Sequence, residues 1–76
     1  MKKDIYVDDN ISIFEREGSF FIRYDAGAHQ VEIREDQISE EEASIAAKSA
    51  AGANTVLFGL QSRLIKSGVD PYKSNI

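Results

Sequence analysis

Apolar positions in the first half of the chain recur every second residue. Ile11 and Ile13 share one side, then Phe20, Ile22 and Tyr24, then Val31 and Ile33. A period of two marks half-buried strands, because successive side chains point to opposite faces. The intervening turns set the register. With Glu17-Gly18 as a two-residue hairpin loop, in which Gly18 takes a positive φ at no steric cost, Arg16 faces Ser19, Phe14 faces Phe21, Ile13 faces Ile22 and Ile11 faces Tyr24. With Ala26-Gly27 as the next loop, after the turn-starting Asp25, Ile22 faces Val31 and Phe20 faces Ile33. Both registers put the same residues on one apolar face, and a slip of one residue in either would send a strand's apolar set to the wrong side. The pattern therefore predicts a three-stranded antiparallel meander. A fourth strand over residues 4–7 is compatible with it in either of two registers. A three-residue loop at Asp8-Asp9-Asn10 turns Ile5 and Val7 inward, and a two-residue loop turns Tyr6 inward.

The period changes after Ile38. Ser39-Glu40-Glu41-Glu42 reads as a capping box with Ile38 at the staple position, and three glutamates in a first turn complement the positive end of a helix dipole. The first helix is expected to run through Ala43, Ile45, Ala46, Ala47 and Ala50 and to stop at Gly52. A second is expected from Asn54 or Thr55 to Ser67, with Leu57, Leu60 and Leu64 as its main stripe, Gly68 as its end and Pro71 barring continuation. The fold class that follows is α+β: a three-stranded antiparallel meander, four-stranded if residues 4–7 join it, followed by two helices packed on one face of the sheet. Residues 1–68 form one compact domain in this reading, and residues 69–76 a poorly ordered tail.

Size and composition narrow the function. The chain has 76 residues and no cysteine. A core this small seldom yields more than ~3–5 kcal/mol without a staple, and without cysteine the staple is a well-made core or self-association. A net charge of −4 repels phosphate polymers and anionic membranes. The N-terminal lysines Lys2 and Lys3 are not followed by the apolar run of a signal peptide. The longest small and apolar stretch, residues 49–60, is broken by Gly52, Asn54, Thr55 and Gly59; a membrane span needs about 20 residues. These features point to a cytoplasmic location with no membrane partner.

Candidate chemistry is sparse. His29 is the sole imidazole, and no serine or cysteine nucleophile with a third orienting group accompanies it, so it reads as a solvated turn residue. The acids at Asp8-Asp9 and Glu40 to Glu42 are runs of adjacent residues and not two carboxyls in differently tuned environments. They lack the alternation of a calcium loop. Gly52 and Gly59 match neither a P-loop nor a dinucleotide fingerprint, and Gly59 reads as a close-packing position. No catalytic residue, metal ligand or cofactor is implied.

The surface of interest is the outer sheet face. Phe14 and Phe21 pair there, with Arg16, Arg23 and Arg34 around them together with Ser12, Gln30 and Glu32. Aromatics and arginine are enriched at binding hot spots, so the expectation is a small acidic, non-catalytic interaction or adaptor module with a protein partner, a second copy of the chain included. Nucleic acid stacked on the aromatic and arginine face is the alternative, opposed by the net charge and by Glu32 inside the patch. A small enzyme or regulatory subunit is the third reading. Phe58 and Ile65 lie off the leucine stripe and are expected to widen the core contact, with a second docking strip as the alternative.

Overall fold

The fold is described from a computed structural model covering residues 1–27 and 30–76. Four strands, β1 (Lys2–Val7), β2 (Ile11–Arg16), β3 (Ser19–Asp25) and β4 (Ile33–Ile38), form one antiparallel sheet in the order β1-β2-β3-β4. Two helices follow, α1 (Glu40–Lys48) and α2 (Ala50–Lys66). They pack on one face of the sheet over a core of Ile11, Ile13, Ile22, Tyr24, Ile38, Ala43, Ala46, Ala53, Val56 and Leu60. The α+β architecture read from the sequence holds, with β1 as the additional strand.

The first hairpin has the register its turn dictates: Ile11 faces Tyr24, Ile13 faces Ile22, Phe14 faces Phe21 and Arg16 faces Ser19. Glu17 and Gly18 both take positive φ, 53° and 82°, the conformation of a type I′ turn, whose twist matches that of the strands it joins. At β1, the Asp8 carboxylate accepts from the Asn10 and Ile11 amides at 2.7 and 2.8 Å, and Asp8 N–H donates to the Ile11 carbonyl. This tight turn pairs Tyr6 with Ile13, and a bulge between Asp4 and Tyr6 then restores Asp4 opposite Phe14. The extra residue lets Ile5 and Tyr6 both pack against the core.

The second hairpin departs from the expected register. Phe20 faces Ile38, Ile22 faces Asp36 and Tyr24 faces Arg34, so the residue opposite Phe20 is 38 and not 33, a shift of five (38 − 33). An odd shift turns β4 over: Arg34, Asp36 and Ile38 lie on the helix side, and Val31 is outside the strand and exposed. The cause is local. Asp25 accepts from the Gly27 and Glu32 amides, and Ala26 N–H donates to the Glu32 carbonyl, which closes a wide loop instead of a two-residue turn at Ala26-Gly27. Ile38 reaches the core by this route and is buried.

Ser39 caps α1 as its motif predicts, with both bonds of the capping box in place. The break between the helices lies at Ser49 and not at Gly52. Ser49 is extended (φ −171°, ψ 164°) and ends α1, while its hydroxyl accepts from the Gly52 amide and so starts α2. Gly52 sits inside the first turn of α2, where a Cβ would collide with the Ile45 carbonyl oxygen; glycine is what lets the helices meet so closely at the corner. Gly59, read as a packing position, faces open space. Gly68 (φ 86°) closes α2, with Val69 N–H reaching back to the Leu64 carbonyl and Gly68 N–H to that of Ile65.

The segment expected as a tail, residues 69–76, lies along β4. Tyr24 donates to the Pro71 carbonyl at 2.8 Å, Arg34 to those of Asp70 and Lys73, and Ser74 N–H to the Glu32 carboxylate. The Asn75 side chain accepts from the Glu35 amide and donates to the Glu35 carbonyl, as a neighbouring strand would.

Candidate functional site

On the outer face of the sheet, Phe14 and Phe21 stack with ring centroids 5.7 Å apart and planes 23° from parallel. Lys2 lies over Phe14 at 4.7 Å, and the Arg16 guanidinium lies over Phe21 at 4.5 Å. Phe14 is thereby only 1% exposed, although no helix covers that side. The cations are themselves held: Lys2 with Asp4, Arg16 with Glu35 at 3.0 Å and Arg23 with the same glutamate at 3.9 Å. Of the five residues named from the sequence, Phe14, Phe21, Arg16 and Arg23 are brought together.

Arg34 is not among them. The overturned β4 carries it to the helix side, where it is 5% exposed. There Nε and Nη2 form a two-pronged contact with the Asp36 carboxylate at 3.1 and 3.0 Å, and Nη1 donates to the Asp70 and Lys73 carbonyls. Its hydrogen bonds to Asp36 hold its pKa above the ordinary arginine value. This arginine fastens residues 70–73 to the sheet.

A shallow, open depression of about 350 Å³ lies between the β1–β2 turn and the β3–β4 loop, lined by Asp8, Asp9, Ile11, Arg23, Asp25 and Ile33 among others. Two of its carboxylates are committed. The Tyr6 hydroxyl donates to Asp8 at 2.6 Å and, with the Asn10 and Ile11 amides, holds its pKa below the ordinary aspartate value. The Glu32 and Gly27 amides lower that of Asp25. General acid–base work needs two carboxyls pushed apart in pKa, and these are both pushed down. His29 lies outside the described residues. Among those described, no group of three or more His, Cys, Asp or Glu is placed to hold a metal ion, and no buried side-chain nitrogen or oxygen lacks a hydrogen-bond partner.

The helix layer presents a different surface. Phe58 and Ile65 were expected to widen the core contact. They face outward, 62% and 56% exposed, because the buried side of α2 is taken by Ala53, Val56 and Leu60. Ile45 on α1 is 45% exposed. From Ser49 to Ser62 there is no charged residue, and Ala51, Asn54, Thr55, Phe58, Gly59 and Ser62 are all exposed along this run. The missing signal was the charge gap itself: a leucine stripe on one side of a helix does not require the other side to be uncharged. No helix among the described residues is long and apolar enough to cross a membrane. Comparison with protein-family models, with curated proteins and with solved structures finds no match.

Proposed function

We propose that this chain is a protein-binding module that docks through the outward face of α2 and carries out no catalysis. One observation carries the reading: charged residues make up 29% of the chain, yet none occurs from Ser49 to Ser62, a run whose exposed side centres on Phe58. The core of an interface is depleted in charge and enriched in aromatics, with polar residues at the rim, and the run is followed by the exposed Arg63 and Lys66. Solvent alone gives no reason to expose a phenylalanine here.

The outer sheet face is the weaker choice. Phe14 has almost no area to offer, and Arg16 and Arg23 already share Glu35. A cytoplasmic setting accords with the absence of cysteine.

The test is a photo-crosslinking side chain placed at position 58 and, in a second variant, at position 21, with both proteins irradiated in cells. Protein adducts from position 58 and few from position 21 are expected. Adducts from position 21 alone would return the function to the sheet face, and nucleic-acid adducts there would make it a nucleic-acid module.

A further inference from the structure

We infer that the partner on this face is a second copy of the chain, packed α2 against α2 in antiparallel orientation; the inference rests on the docking reading above. The outward residues Thr55, Phe58, Ser62 and Ile65 follow one another at intervals of three, four and three, the spacing of a coiled-coil seam. In size they alternate small, large, small, large.

That alternation selects an orientation and a register. When α2 meets a reversed copy so that paired residue numbers sum to 120, Thr55 lies across from Ile65 and Phe58 from Ser62, each pair occurring twice about the two-fold axis. Every layer then joins one large side chain to one small one, as close packing requires. A parallel pair would set phenylalanine on phenylalanine and threonine on threonine, leaving clashes in some layers and voids in others.

Charge favours the same arrangement. The cations of α2, Arg63 and Lys66, are both in its last turn. A parallel pair places them against their own copies. In the antiparallel pair Lys66 comes level with Asn54 and Arg63 with Leu57, so along the axis the two lysines are twelve residues, about 18 Å, apart and the two arginines six residues, about 9 Å, apart, both beyond the ~8 Å screening length of physiological salt.

The contact is short. Eleven residues of helix, Thr55 to Ile65, span about 16 Å, which puts the interface below the ~1,200 Å² of a stable complex. The dimer is accordingly reversible and dissociates on dilution.

Sedimentation equilibrium over a range of concentrations reads the association. The expected average mass rises from one chain toward two in the wild type and in Phe21→Thr, and stays at one in Phe58→Glu. Orientation is read by disulfides, since the chain has no cysteine of its own. Thr55→Cys mixed with Ile65→Cys should give the mixed disulfide, and Thr55→Cys alone should not, because its two copies lie about 15 Å apart along the axis against the ~7 Å that a disulfide bridges. A wild type that remains monomeric at every concentration, association that survives Phe58→Glu, or self-linking of Thr55→Cys would each overturn the inference. A monomeric wild type whose position-58 crosslinker still captures another protein would overturn the second copy and leave the docking reading standing; a monomer that captures nothing would overturn both.

Discussion

Two residues hold conformations or charges that cost free energy unless something compensates. Glu17 has φ 53°, where a side chain with a Cβ loses about 1–2 kcal/mol and asparagine is more at ease. Glu17→Asn should therefore raise stability by roughly 0.5–1 kcal/mol, read as a higher urea midpoint at unchanged slope; an unchanged or lower midpoint would contradict the strain. Arg34 is the opposite case, a buried charge fully provided with partners. Removing it by Arg34→Met leaves Asp36 without its cation on the inner face and frees two carbonyls, at a cost of about 3–5 kcal/mol. That is comparable with the whole stability expected of so small a core, so the variant should show no cooperative thermal transition. Arg34→Met with Asp36→Leu should recover much of the loss, since both charges leave together. A single variant that melts like wild type would contradict the clamp.

At the scale of elements, caps and turns decide where the chain changes direction. Ser39 and Ser49 each cap a helix, so Ser39→Ala and Ser49→Ala should each cost about 0.5–2 kcal/mol, while Ser44→Ala, exposed in mid-helix, should cost little. The two glycines of α2 should respond oppositely. Gly59→Ala should stabilise by up to ~1 kcal/mol because nothing crowds the new methyl, and Gly52→Ala should destabilise because the Ile45 carbonyl occupies that space. Like responses, measured by thermal melts, would contradict the corner geometry. The first hairpin and the Ser39 cap were legible in the sequence because each depends on residues only a few positions apart. The second hairpin was not. Val31 and Ile33 supply the alternation of an inward strand, and Arg34-Glu35-Asp36 does not. What makes the observed register tolerable is a set of carbonyls from Asp70 and Lys73, nearly forty positions along the chain, which no local period can announce. The exposed face of α2 was half legible: Phe58 and Ile65 stood out from the leucine stripe, but their direction depended on which side of α2 packs on the sheet, and that side is Ala53, Val56 and Leu60, a choice made by tertiary contact and not by local period.

For the molecule as a whole, acid is the condition to which it should be most sensitive. The Asp8 and Asp25 carboxylates are held low by hydrogen bonds. Burial alone would raise Glu42, but the Ser39 amide and the Arg63 guanidinium outweigh it and leave it lowered. A carboxyl whose folded pKa lies below its unfolded value contributes stability that is complete above the unfolded value and is lost as pH falls through the folded one. The window therefore opens near pH 4, the ordinary range of Asp and Glu, and extends below it. Urea midpoints should be level above that range and fall beneath it, and Glu42→Gln should flatten the fall; a decline that began near neutrality would contradict these assignments.

The sheet's two margins are treated differently: β4 is lined by residues 70–75, and β1 carries Lys2, Lys3 and a bulge, devices that discourage pairing with another strand. The margins so occupied and Phe14 so covered accord with placing the proposed partner on the outward face of α2. Amide chemical shifts of the ¹⁵N-labelled chain, compared between dilute and concentrated solution, test that most directly. Concentration-dependent shifts should be confined to residues of α2, centred on Phe58 and Ser62, and absent in Phe58→Glu. Shifts at Phe21, Arg16 and Arg23 with α2 silent would contradict it.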